Sequence, residues 1–321
     1  MAESTYLLEV KNLCQYFASG RGSNRLVVKA VDDVSFGVKP AETFGLVGES
    51  GCGKTTTGRT IIRLYDPTSG QMFFNGRKIS GKMTNELRRY LTDNMAMIFQ
   101  DPIESLNPRM TIEEIVGEGL KVRGVRDTAE VRRRVVEILE KVGLNEEHAT
   151  RYPHEFSGGQ RQRIGIARAL IIQPKMIIAD EPVSALDVSI QAQVINLLND
   201  LKGEFGLTIL FIAHNLSVVK YFSDRIGVMY YGRLVEIARG SDLYDKPLHP
   251  YTRALLSAIP EPNPLTEKTR RRIDYYPERD HDYSREKPSM VEVEPEHFIY
   301  GSPSELARYR EVIKRVQGME A

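Results

Sequence analysis

Cysteine is scarce in this chain: Cys14 and Cys52 are the only two in 321 residues. Two are too few for a disulfide framework or a Cys-only zinc site. A reducing, cytosolic compartment is the simpler expectation. Charge of one sign is nearly absent, since 44 Lys and Arg against 43 Asp and Glu leave a net +1. Nucleic-acid binders usually carry a basic excess, so no nucleic-acid partner is expected. No apolar run approaches the ~20 residues that span a bilayer. Met1-Ala2-Glu3-Ser4-Thr5 has neither a basic n-region nor an apolar h-region, so no signal peptide is expected. Internal repeats are also missing. What remains is an ordinary composition, 41% hydrophobic and 27% charged, with length for one large or two ordinary domains.

Within that composition one stretch stands out, Gly48-Glu49-Ser50-Gly51-Cys52-Gly53-Lys54-Thr55-Thr56-Thr57. It follows an apolar run, Thr43 to Val47, that suits a buried strand, and it leads into a helical pattern from Thr56 to Leu64. Strand, G-x-x-x-x-G-K-[ST], helix is the phosphate-loop pattern. Glycines let backbone N–H groups close around phosphate oxygens. The helix start adds free N–H groups and a positive dipole end. Lys54 supplies a point charge for the outer phosphates, and Thr55 a hydroxyl for Mg²⁺. Cys52 lies near a helix N-terminus, where thiol pKa values fall. One expectation is that alkylating it blocks ATP binding; the plainer one is a small residue tolerated in the loop.

Residues 6–47 alternate as antiparallel strands over Tyr6–Val10, Val27–Val31 and Val34–Val38, with turns at Asp32-Asp33 and Lys39-Pro40. Ser19 to Asn24 reads as a loop. Tyr16 and Phe17 before it suit core packing or the stacking of one ring on an adenine. Gln71 to Phe74 reads as a strand before an Asn75-Gly76 turn. Met95 to Gln100 reads as a strand, and the two prolines of Asp101 to Pro108 exclude a helix interior. Residues 111–150 turn helical, with a capping box at Thr111-Ile112-Glu113-Glu114 and one apolar face from Val131, Val135, Ile138, Leu139 and Val142. A helix from Phe156 to Gln173 follows, then a strand Lys175 to Glu181, a helix Ser189 to Phe205 and a strand Leu207 to Ala213. A short helix, Ser217 to Tyr221, and strands Arg225–Met229 and Arg233–Ile237 close the pattern. Pro260, Pro262 and Pro264 mark an extended segment. Residues 265–300 read as a surface tail or partial disorder. Ser302-Pro303-Ser304-Glu305 caps a last helix. Its apolar face, Leu306, Tyr309, Val312, Ile313 and Val316, needs a partner in this chain or another.

Four further features gain meaning from the phosphate loop. Asp180 and Glu181 end a strand of the same sheet, so Asp180 suits Mg²⁺ and Glu181 suits a general base for water. Gln100 ends another strand and can reach water and Mg²⁺. His214 ends a third and can hold the γ-phosphate and orient Glu181. Ser157-Gly158-Gly159-Gln160 before a helix forms a second anion-binding N-terminus. Lys54 already fills one cradle, which suggests that the second serves another chain.

Taken in order, these residues resemble the ATP-binding subunits of ABC transporters, over about residues 6–260. Walker A matches Gly48 to Thr55, the Q-loop glutamine Gln100, the signature Ser157-Gly158-Gly159-Gln160, Walker B Met176 to Asp180 with Glu181, the D-loop Ser184 to Asp187, and the switch histidine His214. The resemblance implies an α/β P-loop NTPase (RecA-like) core with an N-terminal antiparallel β subdomain, an α-helical subdomain near 101–156 and a C-terminal tail. It implies ATP and Mg²⁺, and two subunits that sandwich two nucleotides head to tail. Tyr16 resembles the adenine-stacking aromatic, with Phe17 second. Gln100-Asp101-Pro102, Ser105-Leu106-Asn107-Pro108 and Pro247 to Leu256 resemble the oligopeptide and dipeptide importers, with nickel or oligosaccharide import as the alternative. On that resemblance residues 1–260 form the nucleotide-binding domain and 261–321 an extension.

The partners it implies are a second, different ATP-binding subunit, two integral membrane subunits and an extracytoplasmic binding protein. The implied place is the cytoplasmic face of the membrane. Many members carry a C-terminal cysteine cluster. None lies beyond Cys52 here, so no iron–sulfur cluster is expected in this chain. Soluble relatives for DNA repair carry long coiled-coil insertions and those for translation carry two cassettes; residues 55–156 hold only an ordinary helical block, and there is one cassette.

Overall fold

A computed structural model describes residues 5–20, 26–259 and 271–319. The expected loop at 19–24 falls largely outside these residues, as do Pro260, Pro262 and Pro264. The chain opens with β1 (Leu8–Ser19) and β2 (Leu26–Val38), an antiparallel pair. The Asp32-Asp33 turn of the sequence reading is instead an irregularity inside one long strand: Asp33 sits at φ 61 without ending the pairing. β3 (Thr43–Val47) is buried along its length and runs through the phosphate loop into α1 (Lys54–Ile61). β4 (Ser69–Phe74) and β5 (Arg77–Lys78) join at Asn75-Gly76, both at positive φ, as a two-residue hairpin requires. β2-β1-β4-β5 make a small antiparallel sheet.

The next helix, α2 (Asn85–Asn94), is capped by the Thr84 side chain and had no counterpart in the sequence reading. β6 (Met95–Ile98) follows. α3 (Pro102–Ser105) is a short helix where a loop was expected; a proline in the first turn lacks only an N–H that has no partner there. α4 (Ile112–Val122), α5 (Thr128–Lys141) and α6 (Gly158–Leu170) form the helical block. The Thr111–Glu114 capping box is present, and Val131, Val135, Ile138, Leu139 and Val142 are buried as expected.

β7 (Met176–Asp180), α7 (Val188–Phe205), β8 (Thr208–Ala213), α8 (Leu216–Phe222), β9 (Arg225–Tyr230) and β10 (Arg233–Arg239) come next. After them lie α9 (Gly240–Asp245) and α10 (Pro250–Ser257). The surface tail is a partial misreading: Ser289–Glu294 and His297–Gly301 are strands β11 and β12. They extend the main sheet, whose order is β11-β12-β10-β9-β3-β8-β7-β6. β11 is a half-exposed edge strand carrying Glu292 and Glu294, and such a strand looks like a solvated tail in sequence. The C-terminal helix Pro303–Met319 packs on its own chain, with Leu306, Tyr309 and Ile313 against Leu248 and Ile299. Val312 lies off that face, 38% exposed; the Val316 side chain is outside the described residues.

β9, β3, β8, β7 and β6 run parallel. Their carboxyl ends therefore open on one edge, and the chain order reverses around β3, which is where ligands bind in open α/β sheets. Among the described residues no helix is long and apolar enough to cross a membrane.

Candidate functional site

A cleft of about 1090 Å³ opens at that edge. Ser50, Gly51, Gly53, Lys54, Thr55 and Thr56 line one side, and Gln100, Glu181 and His214 the other. Gly53 sits at φ 110, and a Cβ there would fall 2.1 Å from the Ala30 carbonyl oxygen. Gly48 at φ 149 would place a Cβ 2.1 Å from the Met229 carbonyl oxygen. The loop can be traced only with glycine at both positions. Lys54, 3% exposed, donates to the carbonyl oxygens of Gly48 (2.8 Å) and Glu49 (2.9 Å). These two bonds curl the loop back over its own lysine.

Gly48 and Cys52 lie beneath the cleft rather than on it. Burial pushes the Cys52 thiol up, against the pull of nearby Lys54. The lowered thiol expected from the helix start is therefore corrected: desolvation of a thiolate outweighs the dipole here. Cys52 fills space as a small apolar group.

Thr55 Oγ1 donates to Asp180 Oδ1 at 2.7 Å. Asp180 is fully buried, and its Oδ2 has no hydrogen-bond partner among the described residues; Arg59 comes no nearer than 3.8 Å. Burial raises the carboxyl pKa, partly offset by the Thr55 bond. A buried carboxylate with an unpaired oxygen beside a hydroxyl is a donor set that suits a hard divalent cation.

Glu181 follows β7 at φ 46, and its N–H donates to Ile212 O at 2.9 Å. That left-handed turn, not a gentle bend of the strand end, brings its carboxylate into the cleft. Gln100 Nε2 donates to Glu181 Oε2 at 3.1 Å, and His214 Nδ1 lies 3.1 Å from the same oxygen. Three strand ends thus meet on one carboxylate. Glu104, Ser105 and Ser184 also line the cleft; the sequence reading places Ser105 and Ser184 within motifs but gives none of the three a role at the site, since a polar residue in a loop gives no signal by itself.

The structure does not bring Tyr16 to this cleft. Its hydroxyl donates to Asp32 Oδ1, and Lys29 lies 5.2 Å over its ring. Phe17, on the opposite face of β1, is 40% exposed, and its ring meets that of Tyr65 edge-on. Neither ring lines the cleft itself; strand alternation offers one ring outward, and Tyr16 is the one tied down.

Ser157, Gly158, Gly159 and Gln160 do not line the cleft either. Ser157 caps α6 in a reciprocal capping box with Gln160. Its exposed start faces the D-loop region: Leu186 lies 3.6 Å from a Cβ built on Gly158, and Ile190 2.7 Å from one on Gly159. Asp187 precedes α7 with an exposed side chain, beside Val188 at 82% exposure.

Residues 31–184 match the family model described as ABC transporter, and residues 235–284 match the oligopeptide/dipeptide transporter C-terminal region. The chain is 57% identical to the oligopeptide transport ATP-binding protein OppF of Bacillus subtilis, covering 94% of this chain and 98% of that one. It is 51% identical to the dipeptide transport ATP-binding protein DppF of Lactococcus lactis, over 97% and 98% of the two chains. Among solved structures it resembles the ATP-binding cassette MJ0796 in a dimeric post-hydrolysis state bound to ADP and Pi, with TM-score 0.65 and 31% identity over 72% of this chain and 98% of that one.

Proposed function

This chain belongs to the ATP-binding subunits of oligopeptide and dipeptide ABC transporters, and from that premise we propose how its residues hydrolyse ATP to drive peptide import. Residues 1–260 form the nucleotide-binding domain, and residues 261–321 the extension. The phosphate loop and the start of α1 cradle the phosphates, with Lys54 on the outer ones. Thr55, Gln100 and Asp180 fit Mg²⁺: Thr55 can keep its proton on Asp180 while offering a lone pair to the metal. That metal supplies charge neutralisation on the phosphate oxygens.

The observation that carries the reading is the meeting of Gln100 and His214 on Glu181 Oε2. With Oε2 held, Oε1 is free to take the proton of the attacking water, and His214 keeps the carboxylate aimed. Removing a positioned general base costs about 10²–10⁴-fold in rate. Glu181→Gln should therefore lower ATP turnover at least about 100-fold while ATP binding persists. Turnover at the wild-type rate would remove Glu181 from the role of base.

The base ring is assigned to Phe17. The second anion loop, Ser157 to Gln160, is out of reach of this chain's own cleft, which supports a second ATP-binding subunit whose signature loop closes it. Two integral membrane subunits and an extracytoplasmic binding protein complete the transporter, and the chain acts from the cytoplasmic face. Peptide is favoured over nickel or oligosaccharide because the 57% and 51% identical relatives are oligopeptide and dipeptide transport proteins. Reconstitution with the membrane subunits and an uptake assay with labelled peptide tests the cargo.

A further inference from the structure

The segment Pro247-Leu248-His249-Pro250-Tyr251 lies far from the phosphate loop in sequence yet touches it. Glu49 N–H donates to the Tyr251 hydroxyl at 3.1 Å, across 202 residues of chain. That N–H belongs to the same peptide unit as the Gly48 carbonyl, which accepts from Lys54 Nζ at 2.8 Å. A trans peptide points its N–H and C=O in opposite directions. Tyr251 on one side and Lys54 on the other therefore fix the rotation of a single peptide plane.

Tyr251 is itself fixed from three sides. Its N–H donates to His249 Nδ1 at 3.1 Å. Burial holds the His249 imidazole down at about 3, so the ring is neutral and can accept. Glu236 on β10 accepts from the N–H groups of Leu248 (2.9 Å) and His249 (3.1 Å), which sets the entry into α10. The Tyr251 ring packs 4.4 Å from Tyr230 and 5.4 Å from Tyr275. The side chain is 2% exposed, so its hydroxyl is aimed by packing rather than by solvent.

We propose that Tyr251 is a positioning residue for ATP hydrolysis: its hydroxyl holds the Gly48–Glu49 peptide so that the Gly48 carbonyl presents Lys54 to the phosphates. The segment around Tyr251 thus does more than brace the fold. This rests on the reading of Lys54 as a phosphate ligand.

The test measures the ATP dissociation constant of the purified full chain by calorimetry, with KM and kcat in the reconstituted transporter. Tyr251→Phe keeps the ring and removes the hydroxyl. Losing one neutral hydrogen bond should weaken ATP binding roughly two- to tenfold, with KM raised by the same factor and the nucleotide-free melting temperature lowered by no more than about 4 °C. Tyr275→Phe keeps the neighbouring ring and should leave ATP affinity unchanged. Unchanged affinity and KM in Tyr251→Phe overturns the proposal. So does an equal loss in both variants together with a melting temperature lowered beyond that, which would make ring packing the cause. Lys54→Ala separates the two readings: if it binds ATP as the wild type does, the phosphate-ligand reading fails. If Lys54→Ala loses ATP while Tyr251→Phe keeps it, only the positioning role falls.

Discussion

Glu181 occupies a backbone region that costs a non-glycine residue about 1–2 kcal/mol, at φ 46. The carboxylate pair was legible in sequence because an Asp-Glu at the end of an apolar strand is a local signal. The turn that makes Glu181 usable was not, since it depends on Ile212 across the sheet. The aromatic pair teaches the same lesson. Alternation puts Tyr16 and Phe17 on opposite faces, but only Asp32, which Arg233 also binds, decides which face is inward. Phe17→Ala should raise the KM for ATP about three- to tenfold, the loss of a stacked ring worth roughly 0.5–1.5 kcal/mol, and leave kcat near wild type. Tyr16→Phe should leave KM unchanged. Steady-state ATPase assays on both variants check the assignment.

At the scale of elements, the buried Glu236 joins three pieces of chain. It accepts from Leu248 and His249, and His297 Nε2 lies 2.8 Å from its Oε1. β10, the entry to α10 and β12 meet on this one carboxylate. Glu236→Ala strands these buried donors at a cost of about 1–3 kcal/mol each. Relaxation and water entry will recover part of that, so the expected loss is about 3 kcal/mol, read from urea unfolding of the chain. The hairpin β11–β12 escaped the sequence reading for a related reason. Ser289–Glu294 is only half buried, and the core it joins includes Leu248, which is remote in sequence. By contrast α4, α5 and α6 were legible because a capping box, a 3.6-residue apolar period and a glycine stop are local properties.

For the whole molecule, a second chain completes the cleft on the proposed reading. Ser157→Arg enlarges the exposed start of α6 without touching the cleft of its own chain. It should leave ATP affinity of the isolated chain within about twofold, since the N-cap contributes only about 1 kcal/mol to the helix. Hydrolysis in the assembled transporter should fall at least tenfold. Nucleotide titration and phosphate release, run side by side, check this; equal loss of both would place the signature loop in its own chain's site. A last consequence concerns synthesis. β3, the strand that launches the phosphate loop, pairs with β8 and β9 and, among the described residues, with no strand nearer in sequence. A ribosome that has delivered the first 200 residues has made every phosphate-loop residue and neither neighbour of the strand that carries them. Such long-range pairing is slow to form. ATP can therefore act as a folding ligand only for a nearly finished chain, and prematurely terminated products are left with an apolar strand open to aggregation.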